Sequence, residues 1–143
     1  MRNDVRGQEF RRLTRLLAPV LKQEGIPLSF RGYEEMVWRC EQMIEHHVAD
    51  VYELARDCLH WAHYLSELKT LLCVLCETWQ ERLSFWQVRC SETQERTSIS
   101  LIRELKKQID LLKTYIDLLD AERVYFLQMH FLCMQAFRKT ILL

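Results

Sequence analysis

Apolar residues recur at alternating intervals of three and four along most of this chain, and that interval decides its class. From Tyr33 to Cys90 one seam runs Val37, Ile44, Val51, Cys58, Leu65, Leu72, Trp79 and Trp86. A partner seam runs Cys40, His47, Leu54, Trp61, Leu68 and Leu75, and fails only at Arg82 and Arg89. A heptad sustained in this way predicts helix, because a strand would repeat every second residue. The stretch contains neither glycine nor proline. It is therefore expected as one helix about 87 Å long, at about 1.5 Å per residue. A second topology breaks that helix between His60 and Ser66 and gives a more compact bundle.

The polar run from Ser91 to Ser98 predicts a turn, with Ser98 or Ser100 able to cap the next helix. A heptad then resumes at Ile102, Leu105, Ile109, Leu112, Ile116 and Leu119, leaving Asp110, Lys113 and Asp117 off the seam. Beyond Ala121 the pattern changes. Val124 to Leu127 and Phe131 to Met134 are apolar on nearly every side, so this segment must be covered all round, and the chain has few helices with which to do so. Upstream, Phe10, Leu13, Leu17, Val20 and Leu21 make the stripe of a short helix, with Pro19 inside it predicting a kink or two shorter pieces. Gly25 suits a left-handed cap, Ile26 its apolar contact, and Pro27 stops the helix. The connector from there through Phe30 is apolar enough to pack down, and Ser29 or Gly32 can start the next helix.

The predicted fold is all-α: a long antiparallel helical hairpin, coiled-coil-like, with a short N-terminal helix and helical-bundle packing. Residues 1–32 form the short basic helix and connector. Residues 33–143 form the hairpin, divided into a long helix over 33–90, a turn over 91–98 and a second helix over 99–143. The N-terminal helix is expected against the open end. Positions beside the seam, among them Met36, Ala55, Ala62, Leu71 and Leu83, are apolar rather than charged, so the long helix is expected to meet two or more neighbours.

Composition changes this picture little. Half of the 143 residues are hydrophobic and 28% are charged, with a formal net charge of zero. Neutrality removes the simplest argument for nucleic acid as a partner. The charge is uneven: residues 1–32 carry seven bases against three acids, 33–97 six against twelve, and 98–143 seven against five. Mutual attraction of these segments in the folded chain accounts for this more simply than a basic tail docking elsewhere. The N-terminus lacks the apolar core of a signal peptide, and no run reaches the ~18–20 apolar residues of a membrane span. The six cysteines are then expected as reduced, helix-packing thiols of a cytoplasmic protein, one that could associate with the cytoskeleton.

Candidate chemistry is sparse. His60, His63 and Glu67 share a helical face at metal-ligand spacing, but that face is the polar one, and a solvated face is the reading adopted. Cys73 and Cys76 form a C-x-x-C without the preceding strand or the second pair that redox or zinc chemistry needs. His47 and His130 fall on apolar faces, where a lone histidine is most often satisfied by a neighbour. No glycine-rich phosphate loop, nucleophile elbow or carboxylate pair is present. No cofactor, metal or small-molecule substrate is expected, and no enzyme. Aromatic residues suggest contact surfaces instead. Trp38, Tyr52 and Leu59 lie on a shoulder of the polar face, and Phe131 and Leu132 in the all-round apolar segment. These five are the candidate partner-binding residues. The expected function is a non-enzymatic helical interaction or scaffold subunit, of a cytoskeletal or ciliary assembly. It would bind a protein partner or self-associate through apolar helix faces. The alternative is a peripheral protein lying on a membrane surface through its Arg-rich first helix and apolar C-terminal segment.

Overall fold

The structure, a computed structural model, describes residues 4–45, 50–93 and 96–142. Four helices make it up: α1 (Asp4–Gln23), α2 (Tyr33–Glu45), α3 (Val51–Thr93) and α4 (Arg96–Leu142), with no strand among the described residues. Helices α3 and α4 form the expected antiparallel hairpin. Its register is fixed by three cross-helix contacts. The rings of Tyr52 and Phe137 lie 5.1 Å apart, His130 Nδ1 lies 2.8 Å from the Ala55 carbonyl oxygen, and Lys69 donates to Asp120 at 2.9 Å. Helix α3 ends at Thr93 and α4 begins at Arg96, both inside the polar run read as the turn.

The stretch expected as one helix from Tyr33 to Cys90 is two. In a straight helix Cys40 and Cys58 would stand about 27 Å apart along the axis. Their sulfurs are 3.6 Å apart, and Arg39 reaches Asp57 at 2.9 Å, so α2 folds back along α3. The seam residues therefore face one another across two helices, and the heptad register survives the reversal. A start signal is present in the sequence. Asp50 lies just ahead of α3 and its carbonyl accepts from the Leu54 N–H at 3.1 Å, while Asp50-x-x-Glu53 has the spacing of a capping box. From Val51 onward α3 is continuous, including the His60–Ser66 region of the second topology.

The end of α1 obeys its sequence signals. Gly25 adopts φ 80°. The Ile26 N–H donates to the Leu21 carbonyl at 2.8 Å, and that of Gly25 to Lys22 at 3.1 Å. This is the paired-bond Schellman cap, which satisfies carbonyls that the helix end would leave open. Pro19 does not divide α1. It is exposed, so the backbone bond it cannot make is lost on the side that water reaches. Gly32, at φ 82°, precedes α2, and its carbonyl accepts from Met36 at 3.0 Å.

Helix α1 does not lie at the open end. Phe10 stacks on Tyr115 with centroids 5.6 Å apart, and Glu24 accepts from Arg82 at 3.0 Å. It therefore runs along the turn-proximal half of the hairpin. The open-end half is covered by α2. Phe10, Leu13, Leu17 and Leu21 of α1 and Tyr33, Met36, Val37 and Cys40 of α2 are buried against the α3–α4 seam. Where the two short helices meet, Phe30 from the connector joins an aromatic cluster. It contacts Phe10 at 5.5 Å, Trp61 at 6.2 Å and Tyr64 at 5.7 Å, while Phe126 closes on Tyr33 at 5.7 Å. The Tyr64 hydroxyl also accepts from the Ser29 N–H at 2.9 Å, which pins the connector to α3.

Candidate functional site

The bundle covers one face of the hairpin and leaves another open. On α4 the buried positions are Ile109, Leu112, Tyr115, Leu119, Glu122, Phe126, Met129 and Cys133. The seam thus steps to Tyr115 where the heptad predicted Ile116, because the phenol meets α1: its hydroxyl is 2.8 Å from that of Thr14. Thr14 gives its own proton to the Phe10 carbonyl at 2.7 Å, so Tyr115 is the donor between them. Burial holds this phenol protonated, with its pKa raised.

On the opposite side of α4, Val124, Leu127 and Phe131 succeed one another at intervals of three and four, with Leu132 and Gln128 beside them. Together they line a shallow apolar groove. Phe131 is 61% exposed and Leu132 44%, whereas Phe126 is fully buried. The segment expected to need cover all round is therefore covered by its own chain on one side only. The hairpin register places Leu59 of α3 level with Leu127 to Phe131, and Tyr52 beside Phe137. Tyr52 and Leu59 are both exposed.

Trp38 is exposed as well, but the fold separates it from that group. It belongs to α2 and borders a concavity with Gln42, Asp50, Glu53 and Leu54, on a different flank of α3 from the one meeting Phe137. Of the five sequence-predicted residues, Phe131 and Leu132 share the α4 groove, Tyr52 meets Phe137, Leu59 is exposed on α3, and Trp38 stands apart on α2.

The other candidate groups are dispersed. His63 and Glu67 are exposed and meet at 3.1 Å, and His60 is exposed beside a small polar concavity with Glu35, Arg39 and Asp57. Asp57 is already engaged by Arg39. Among the described residues no three His, Cys, Asp or Glu side chains gather where a metal ion would sit. All six thiols are free, and Cys40, Cys58, Cys76 and Cys133 are buried. Cys73 is exposed, contrary to its reading as a packing thiol, because the α3 seam passes through Leu72 and Cys76 instead. The hydrogen bond with Cys40, and then burial, push the Cys58 thiol up; burial pushes Cys133 up to about 11. Both therefore stay protonated and weakly nucleophilic. His130 is half-buried and anchored to the Ala55 carbonyl, a packing role. His47 lies outside the described residues.

Sequence reasoning passed over Glu122, which is fully buried on the packed side of α4. The heptad read from the sequence puts Arg123 at that place; the step that brings in Tyr115 brings in Glu122 seven residues on. Comparison with protein-family models, curated proteins and solved structures finds no match to this chain.

Proposed function

We propose that this chain is a non-enzymatic helical interaction or scaffold subunit, working through the open side of α4 in a cytoplasmic assembly of the cytoskeletal or ciliary kind. The observation that carries the reading is the run Val124, Leu127, Phe131 and Leu132, four large apolar side chains exposed along one groove. Contiguous apolar surface on a polar-rimmed helix marks a site that another molecule covers. The shape agrees with assembly: α4 alone has 47 residues, about 70 Å of helix. The side chains that could supply chemistry are tied to structural partners or scattered over the surface.

The membrane-surface reading receives less support. It requires the apolar side of the Arg-rich first helix, and Phe10, Leu13, Leu17 and Leu21 are buried against the hairpin. No helix among the described residues is long and apolar enough to cross a bilayer. The decisive experiment is the native size of the chain in extract of cells that make it, wild type beside Phe131→Asp. Migration above the single-chain mass of 17.4 kDa, lost in the variant, is the expected result. Equal migration of both at the single-chain mass would refute the interaction reading, and co-flotation with anionic phospholipid vesicles would then favour the membrane one.

A further inference from the structure

The row of α4 that points directly away from the core reads Asp110, Asp117, Val124, Phe131 and Arg138, one residue every seven. All five side chains are exposed. The row is ordered: acids on the N-terminal side, two large apolar residues in the middle, a base on the C-terminal side. Asp117 and Arg138 form no ion pair among the described residues. A row of this polarity is complementary to itself when reversed.

We propose that the open side of α4 is covered by a second copy of this chain, the two α4 helices packing antiparallel about a two-fold axis that passes between Leu127 and Gln128. The proposal rests on the interaction reading above and names its partner. With the axis there, Val124 stands opposite the second copy's Phe131, and Leu127 opposite its Gln128. Half-buried Ala121 meets the second copy's Met134, a small side chain against a long one. Asp117 then stands opposite the second copy's Arg138, and by symmetry the pair forms twice. Isologous contacts require this kind of self-complementarity, in which residue i meets j and j meets i. The parallel arrangement fails the same test, because it opposes Asp117 to Asp117 and Arg138 to Arg138. From Asp117 to Arg138 the contact spans about 31 Å of helix. Over that length a straight helix drifts about 20° per heptad, which an apolar face ~100° wide accommodates.

The test uses absolute mass by light scattering across a concentration series at low salt, with circular dichroism to verify folding. Wild type is expected to be a dimer. Asp117→Arg and Arg138→Asp each set like charges opposite one another twice, and each is expected to raise the dimer Kd about tenfold. That estimate takes roughly half to one kcal/mol per exposed pair. Asp117→Arg combined with Arg138→Asp restores opposite signs and is expected to return Kd to within about threefold of wild type, a rescue that non-specific apolar association would not give. A wild-type chain that stays monomeric at about 100 μM overturns the proposal, as does a dimer indifferent to both single reversals or a double variant weaker than either. Failure here leaves the broader reading separately decidable. A purified monomer that still migrates as a larger species in extract, released by Phe131→Asp, means that a different protein covers the groove.

Discussion

Phe126 and Phe131 stand five residues apart on the same helix and have opposite surroundings. Phe126 is enclosed by Tyr33 and Trp61, on the side of α4 that faces the short helices. Phe131 is on the far side, 61% exposed. Five residues advance a helix by about 500°, so the two side chains point well over a right angle apart. The contrast extends to whole faces. The packed face of the hairpin is closed by α1, the connector and α2, which contribute Phe10, Phe30 and Tyr33 to one aromatic cluster. The outer face of α4 has no such cover among the described residues, and its apolar content is hard to explain by the stability of a single chain.

The sharpest way to break this comparison is to truncate both rings. Phe126→Ala is expected to cost about 3–5 kcal/mol, as for other large aromatic truncations in cores. Phe131→Ala should stay within about 0.5 kcal/mol at concentrations where the chain is monomeric. Denaturant unfolding of both variants at sub-micromolar concentration checks the pair, and equal losses would mean that the two faces are not distinct. A smaller effect is expected at the cap that turns the chain toward the connector. Gly25→Ala finds open space for its methyl group but must hold a positive φ, at a cost of about 1–2 kcal/mol. The midpoint of thermal unfolding should fall by several degrees.

Two further variants probe how the covering helix and the hairpin are fastened. Tyr115→Phe removes the donor to Thr14 and should cost about 0.5–1.5 kcal/mol in equilibrium unfolding, with the stacking on Phe10 retained. The smallest effect belongs to Asp120. Hydrogen bonds from Lys69 and then Arg123 hold its carboxyl below the ordinary aspartate value. A folded-state pKa below the unfolded one, ordinarily about 3.9, stabilises fully above that value. The contribution fades as pH falls through the folded value. The group is 36% exposed, so solvent screening limits the loss in Asp120→Asn to under about 1 kcal/mol. Stability of the two proteins, measured by urea unfolding from pH 7 to pH 2, should converge at the acid end.

What was legible in the sequence were features with local causes. The heptads defined the seam of α3 and part of that of α4, the polar run at 91–98 contained the end of α3 and the start of α4, and Gly25-Ile26-Pro27 gave the end of α1. The reversal ahead of α3 was harder to see, because α2 and α3 carry the heptad in one register and the chain there lacks glycine and proline. Asp50-x-x-Glu53 was the remaining signal, weak beside a seam that did not slip. The step of the α4 seam onto Tyr115 depended on Thr14, 101 residues away, and a periodicity within one helix carries no information about that. Phe131 and Leu132 were legible as apolar residues in need of cover. That Trp38 would part from Tyr52 and Leu59 depended on the reversal alone.

One measurement bears most directly on the open face: the light-scattering mass of wild type beside Phe131→Asp, both verified as folded by circular dichroism. The chain mass is 17.4 kDa. The account predicts about twice that mass for wild type and the single-chain mass for Phe131→Asp, with helix content unchanged. A wild type at the single-chain mass, or a variant that loses its helix instead of its partner, would contradict it.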